Sequence, residues 1–187
     1  MHMRSHWDEP HLAVITGPMF SGKSDELIRR LRVASIGGHG VLIVKPASDT
    51  RTHTTVQSRG GGVMDAVVAE SAAHLLKLVE QSHRVIGIDE AQFFDEGIVE
   101  VVRELLRAGK RVYVAGLALD YAEKPFVHMA SLMAMATECH VLMAVCMQCK
   151  NPNASRTMRL VESTERHLVG DGEAYEPRCL GCYHCPS

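Results

Sequence analysis

A glycine-rich segment near the N-terminus constrains the fold of this chain more than any other feature. Gly17-Pro-Met-Phe-Ser-Gly-Lys-Ser24 matches the phosphate-binding pattern G-x-x-x-x-G-K-[ST] at every position. The β-branched run His11–Thr16 precedes it, and apolar residues at helical spacing follow it. A strand–loop–helix unit of this kind surrounds phosphate oxygens with backbone N–H groups. We therefore expect a phosphate site, because a chance glycine-rich turn would lack the flanking strand and helix.

Beyond this segment, short β-branched runs alternate with segments of helical periodicity. Strands are predicted at residues 41–44, 67–68, 84–89 and 111–117, and helices at 24–36, 71–81 and 98–106. This alternation predicts an α/β fold of the P-loop NTPase type, with a mainly parallel sheet and helices on both faces. The polar stretch that follows Lys45-Pro46 and runs through Gly62 has no periodicity, and we expect a mobile loop there.

Composition restricts the partners of the chain. Its 187 residues include 20 Lys+Arg and 22 Asp+Glu, which gives a formal charge of −2. Near-neutral charge argues against a nucleic-acid polymer bound through counterion release. The apolar stretches fall short of the roughly 20 residues that span a bilayer, and residues 1–10 lack the apolar region of a secretory signal. We therefore expect a cytoplasmic protein without a membrane or nucleic-acid partner.

Two Cys-x-x-Cys pairs, Cys146/Cys149 and Cys179/Cys182, predict a tetrahedral zinc site. The 29 residues between the pairs, 150–178, would form a long loop closed at its base by the metal. Cys185 adds a third Cys-x-x-Cys step and competes with Cys182 as fourth ligand, and a redox pair is the alternative to a metal site. These features predict a phosphate-binding domain at 11–144 and a small zinc-binding subdomain at 145–187.

An acidic pair ends the predicted strand at 84–89. Asp89 stands where a P-loop fold places the carboxylate that holds Mg²⁺, together with the Ser24 hydroxyl. The adjacent Glu90 can orient or deprotonate a nucleophile aimed at the γ-phosphate, or it can simply cap a following turn near Phe93. An ATPase, a GTPase and a small-molecule kinase all remain compatible with these residues, although an Asn-Lys-x-Asp guanine signature is absent from the sequence.

Further segments complete a recognisable set. In chain order they are Lys45-Pro46, Asp49-Thr-Arg51, Asp89-Glu-Ala-Gln-Phe-Phe94, Gly116-Leu117, Pro125-Phe126, Thr157-Met-Arg159 and Tyr175-Glu-Pro-Arg-Cys179. With the phosphate-binding segment and the cysteine pairs, this set resembles the type II, zinc-containing thymidine kinases over about residues 12–183. The chain departs from the common family pattern at Ala118, where Asp is usual, and at Arg59, where His is usual.

The resemblance implies phosphoryl transfer from Mg·ATP to the 5′-hydroxyl of thymidine or deoxyuridine, with Glu90 as the catalytic base and structural Zn²⁺. The ATP-binding residues that it implies are Gly17, Pro18, Met19, Phe20, Ser21, Gly22, Lys23, Ser24, Asp49, Thr50, Arg51, Asp89, Glu90, Ala91 and Gln92. The substrate-binding residues that it implies are Tyr121, Phe126, Arg166, His167, Leu168, Val169, Gly170 and Tyr175, most of them in a lasso loop that covers the base. It also implies a homotetramer and possible feedback inhibition by dTTP.

A second hypothesis comes from a different functional class, a P-loop ATPase whose zinc ribbon binds nucleic acid or protein. The near-neutral charge and the few basic residues near the cysteine pairs argue against it. Two smaller expectations concern packing. Cys139, outside the cysteine pairs, is predicted to be a core thiol, and the methionines at 129, 133, 135, 143 and 147 are predicted to fill the core.

Overall fold

The computed structural model of the chain describes residues 7, 9–49, 55–57, 61–161 and 174–184, and it contains ten strands and four helices within those ranges. The strands are β1 His11–Thr16, β2 Gly40–Pro46, β3 Thr55–Gln57, β4 Val63–Asp65, β5 Val67–Ala69, β6 His83–Ile88, β7 Arg111–Gly116, β8 Glu138–Val141, β9 Arg156–Arg159 and β10 Tyr175–Arg178. The helices are α1 Lys23–Ile36, α2 Ala72–Leu78, α3 Ile98–Arg107 and α4 Val127–Met135.

Six strands form the central sheet in the order β5-β2-β6-β7-β1-β8, and every neighbouring pair in it is parallel. Alternate residues of a strand point to opposite faces, and each face has its own apolar cluster. Leu12 and Val14 of β1 pack with α2, α3 and α4, whereas Ala13 and Ile15 pack with α1. Helices therefore cover both faces, which confirms the predicted α/β class.

Parallel pairing also fixes where a site can form. The carboxyl ends of β1, β2, β6 and β7 meet at one edge of the sheet, and the loops that follow these strands converge there. Two of those loops hold the predicted phosphate-binding segment and the Asp89–Glu90 pair. Helix α1 begins directly after Gly22 and ends at Gly37, with Gly38 in the left-handed region at φ 81°.

The last part of the chain forms a separate antiparallel pair. Strand β9 pairs with β10, so that Thr157 lies opposite Pro177 and Arg159 opposite Tyr175. This hairpin confirms strand structure near 156–161, while the strand expected at 167–169 lies outside the described residues. Whether the boundary between the two domains falls near residue 145 stays a prediction.

Several expectations about the local structure were wrong. The stretch expected to be a loop through Gly62 contains β3, which pairs antiparallel with β4 and buries Val56 beneath α1. Three residues are too few to show a period. Helix α2 ends at Leu78 rather than at 81. Neither α4 nor β8 was predicted. The sequence of α4 is apolar almost throughout, so it shows no polar face that would mark a helix.

Two packing expectations also need correction. Cys139 is exposed, and it lies on β8, the edge strand of the sheet, where only one neighbouring strand packs beside it. Met129 is fully buried, and Met133 and Met135 pack against the same core, as expected. Met143 and Met147, in contrast, are about half exposed in the segment that leaves the sheet. No described helix combines the length and apolar character needed to cross a membrane.

Two isoleucines of α1 provide a matched test of the packing on the α1 face. Ile28 is 2% exposed and Ile36 is 88% exposed. Ile28→Ala should lower the free energy of unfolding by about 2–5 kcal/mol, because it leaves a cavity against the sheet. Ile36→Ala should change it by less than about 0.5 kcal/mol. Urea denaturation followed by circular dichroism measures both, and equal effects would contradict the observed packing.

Candidate active site

The phosphate-binding segment forms a tight loop between β1 and α1. A Cβ at Gly17 would lie 2.4 Å from the carbonyl oxygen of Leu142, so glycine is required for the backbone to pass there. Gly22 has φ 84°, which aims the chain into the first turn of α1. Lys23 donates from Nζ to the carbonyl oxygen of Pro18 at 2.8 Å, so its ammonium group lies over the loop from which it comes. The loop has the shape and charge of an anion site.

Asp89 faces this loop from the end of β6. The Ser24 hydroxyl donates to the Asp89 carboxylate, with Oγ 3.1 Å from Oδ2 and 3.3 Å from Oδ1. Burial raises the pKa of Asp89 to about 7, and the Glu90 carboxylate adds to the rise, while the Ser24 hydroxyl and the Lys23 ammonium oppose it. A cation beside the carboxylate would favour its ionised form, and hard divalent cations prefer such oxygen ligands. The Ser24–Asp89 pair therefore fits Mg²⁺.

Glu90 follows in a backbone conformation that few side chains adopt. Its φ is 48°, in the left-handed region, and the turn Ala91–Phe93 comes directly after it. Glu90 is half-buried and accepts a hydrogen bond from Gln92 Nε2 at 2.5 Å. Ala91 lies in the apolar core with α3, and Gln92 is buried. The expectation that Ala91 and Gln92 contact ATP remains a prediction.

The second predicted ATP-contacting segment is described only in part. Asp49 is buried after the end of β2, and its Oδ2 lies 3.5 Å from Nζ of Lys45, which is also buried. The Lys45 ammonium and the Asp49 carboxylate therefore partly neutralise each other's charge, as paired ionic groups inside proteins generally do. Thr50 and Arg51 lie outside the described residues, so their predicted role in binding ATP stays a prediction.

The zinc subdomain contacts the phosphate-binding loop directly. The backbone N–H of Met19 donates to the hydroxyl of Thr157 on β9, at 2.9 Å. Sequence reasoning included Thr157 in a family motif but gave it no role, because a contact between residues so far apart in the chain has no local signature. Between the loop and β9 lies an open, largely apolar cleft, whose walls include Pro18, Leu119 and Leu142.

Two of the predicted substrate residues, Tyr121 and Tyr175, both contact Arg159, which was not predicted to belong to the site. The Arg159 guanidinium lies over the Tyr121 ring, with Cζ 3.6 Å from the ring centroid, and 5.3 Å from that of Tyr175. Arg159 Nη2 also donates to Tyr175 Oη at 2.7 Å. Tyr183 donates its hydroxyl to the Tyr121 carbonyl oxygen. The guanidinium stacks on aromatic faces better than an ammonium group would, so Arg159 joins the β7–α4 loop to the hairpin.

Phe126, another of the predicted substrate residues, does not join this group. Phe126 is a buried residue of the main apolar core, where its ring packs with the cluster that includes α3 and α4. Its backbone N–H donates to the Ala118 carbonyl oxygen at 2.9 Å and closes the β7–α4 loop. Arg166, His167, Leu168, Val169 and Gly170 lie outside the described residues.

Four cysteines converge at the base of the hairpin. The sulfur atoms of Cys146, Cys149, Cys179 and Cys182 all lie within 4.8 Å of one another, and those of Cys149 and Cys179 are 3.6 Å apart. Sulfurs of a tetrahedral site with Zn–S bonds near 2.3 Å are about 3.8 Å apart, so the set fits a metal ion. Burial opposes ionisation of Cys146, but hydrogen bonds from the backbone N–H groups of Cys149, Cys179 and Gln148 and from the Cys149 thiol together lower the pKa of Cys146 to about 6.

This convergence favours a metal site over two separate redox pairs. It also brings Cys182 into the cluster, while Cys185 lies outside the described residues. The four thiols are therefore positioned as the sequence predicted.

Comparison with known proteins agrees with this geometry. A family model described as thymidine kinase matches residues 10–183. A thymidine kinase from Mycoplasma mobile is 40% identical over 173 residues, which cover 92% of this chain and 86% of that protein. The match to the family model spans the phosphate-binding loop, the acidic pair and all four clustered cysteines. The chain belongs to the thymidine kinase family, and its cysteine cluster is consistent with the zinc-containing type II members.

Proposed function

We propose that this chain transfers the γ-phosphate of ATP to the 5′-hydroxyl of thymidine, and of deoxyuridine, in the salvage of DNA precursors. The observation that carries the proposal is the contact between Ser24 and Asp89, with Glu90 next in the chain. It joins a phosphate-binding loop to a carboxylate for a metal ion and a second carboxylate for a proton. Those are the groups that phosphoryl transfer to a hydroxyl needs.

In this proposal each group has one task. Backbone N–H groups of residues 17–24 and the Lys23 ammonium bind the ATP phosphates, with further contacts from Asp49, Thr50 and Arg51. Ser24 and Asp89 would hold Mg²⁺, which neutralises charge on the phosphates when bound. Glu90 accepts the proton of the 5′-hydroxyl as that oxygen attacks the γ-phosphorus.

The nucleoside lies between the β7–α4 loop and the zinc subdomain. Tyr121 and Tyr175, which both contact Arg159, offer aromatic faces to the nucleoside. The segment that contains Arg166, His167, Leu168, Val169 and Gly170 would cover the base through main-chain groups. Closure of this lasso excludes water, which favours transfer to the sugar hydroxyl over hydrolysis of ATP. Phe126 supports the same loop from the core.

The metal in the cysteine cluster is Zn²⁺ in this proposal, because four thiolates in tetrahedral array suit it. Its role is structural, since all four ligands come from the protein. A homotetramer, feedback inhibition by dTTP and a cytoplasmic location belong to the same proposal and rest on the family resemblance.

The first test of the proposal asks which nucleosides the protein phosphorylates and whether the reaction depends on Glu90 as the catalytic base. Purified protein should form dTMP from ATP and thymidine, and product from deoxyuridine, with little turnover of deoxycytidine or deoxyadenosine. Glu90→Gln should lower kcat by about 10²–10⁴-fold, because the amide cannot accept the proton. Glu96→Gln, an exposed change in the same segment, should leave kcat unchanged. ATP hydrolysis that is indifferent to nucleoside would contradict the proposal.

We expect Thr157 to affect the use of ATP, because its hydroxyl holds the phosphate-binding loop. Thr157→Val keeps the shape of the side chain but removes the acceptor for the Met19 N–H. A lost bond of this kind costs about 0.5–1.5 kcal/mol, so kcat/KM for ATP should fall roughly 2- to 10-fold. Thr137→Val is the matched control, because Thr137 accepts from Leu12 N at 3.3 Å, between β1 and the start of β8. Steady-state kinetics on the two variants should differ, and equal values would exclude this role of Thr157.

The cysteine cluster should hold one metal ion per chain. Cys182→Ser removes one of four ligands, so elemental analysis should find less than one zinc per chain, and thymidine phosphorylation should fall with it because the hairpin loses its closure. Cys139→Ser should keep both the zinc and the activity, since Cys139 lies exposed on the edge strand outside the cluster. Full metal content in Cys182→Ser would show that another group completes the site.

A further inference from the structure

The side chain of Gln92 is 3% exposed and both ends of its carboxamide are bonded. Its Nε2 donates to Glu90 Oε2 at 2.5 Å, and its Oε1 accepts from the backbone N–H of Leu117 at 3.0 Å. The side chain therefore bridges the end of β7 and the residue that follows Asp89. Phosphoryl transfer as proposed above makes no use of this bridge.

The chemistry of the two end groups fixes the orientation of the amide. The Leu117 N–H is a donor and needs an oxygen, so Oε1 must face β7. The Gln92 NH₂ group must then face Glu90, whose ionised carboxylate only accepts. A flipped amide would place two donors together at Leu117 and two acceptors together at Glu90. The bridge therefore has one stable arrangement.

The backbone on both sides of the bridge is adapted to it. Glu90 has φ 48°, and its carbonyl oxygen accepts from Phe93 N at 3.0 Å, which closes the turn that carries Gln92. On the β7 side, a Cβ at Gly116 would lie 2.7 Å from Gln92 Oε1. Glycine at 116 leaves room for the amide oxygen, and the left-handed residue at 90 brings the carboxylate within reach of the amide nitrogen.

We infer that Gln92 is a positioning residue that acts through Glu90, holding the carboxylate of the catalytic base in the orientation from which it accepts the 5′-hydroxyl proton. This inference rests on the proposed function, because it assumes that Glu90 is the base. It assigns Gln92 a role different from the ATP contact that the family resemblance implied. A general base contributes only while it stays within hydrogen-bond reach of the proton, so a small loss of orientation lowers the rate of the chemical step.

The test is a double-mutant cycle on thymidine phosphorylation. Gln92→Met keeps the length of the side chain and removes both hydrogen bonds. It should lower kcat by about 10-fold and leave KM for ATP and for thymidine within about 2-fold, because only the orientation of the base is lost. In a Glu90→Gln background there is no base left to orient, and Gln92→Met should then change the residual rate by less than about 2-fold.

Two further variants separate positioning from folding. Gln92→Glu retains an acceptor for Leu117 N but replaces the NH₂ donor with a second carboxyl oxygen that faces Glu90. It should lower kcat without raising KM, and thermal unfolding shows how far the fold is affected. Gln81→Met makes the same change as Gln92→Met at an exposed turn after α2, and it should leave both constants unchanged. Thermal unfolding of every variant is measured alongside the kinetics.

The outcomes distinguish this inference from the function on which it rests. Equal losses from Gln92→Met with and without Glu90 would show a merely structural role and overturn the inference alone. A raised KM for ATP at constant kcat would show an ATP contact and also overturn it alone. Full activity in Glu90→Gln, or parent protein that makes no dTMP, would overturn the proposed function and the inference with it.

Discussion

The contact between Ser24 and Asp89 is the interaction on which the rest of the site depends, and the parallel sheet is what makes it possible. The two residues are distant in the chain, yet β1 and β6 both pair with β7 and end at the same edge. A register slip of one residue would send Asp89 to the other face and break the contact. The apolar alternation of β1, with Leu12 on one face and Ala13 on the other, therefore fixes the site as well as the core.

The β9–β10 hairpin and its cysteine cluster form a second framework, which contacts the parallel sheet framework at the phosphate-binding loop. The cysteine cluster fixes the β9–β10 hairpin at its base, with Cys146 and Cys149 before β9 and Cys179 and Cys182 after β10. From this hairpin, Thr157 accepts the Met19 N–H and Arg159 covers the Tyr121 ring. A metal in this cluster would thus influence the chemistry without taking part in it, because Thr157 and Arg159, which contact the loop and the tyrosines, share its support.

The structural features that could be predicted from the sequence were those that depend on residues close together in the chain. The phosphate-binding loop, α1 and the four cysteines follow from short patterns, and the structure has them in place. Elements without a local period were missed, such as α4, whose sequence is apolar on nearly every side. Cys139 was predicted to be a core thiol because it lies outside the cysteine pairs, but it belongs to β8, the edge strand of the sheet, and is exposed. The contacts of Thr157, Arg159 and Gln92 join distant segments, so tertiary structure alone could reveal them.

Adjacent carboxylates suit different tasks only if their surroundings differ, and the backbone at Glu90 produces that difference. Asp89 is buried beside Ser24, where burial and the Glu90 carboxylate raise its pKa to about 7, so that a bound cation would favour its charged form. Glu90, turned by φ 48°, leaves the strand direction and reaches an amide donor instead. An extended residue at 90 would point its side chain away from that donor, since consecutive side chains of a strand alternate. The left-handed conformation therefore lets one strand end supply the two roles proposed for these carboxylates, a metal ligand and a separately held base.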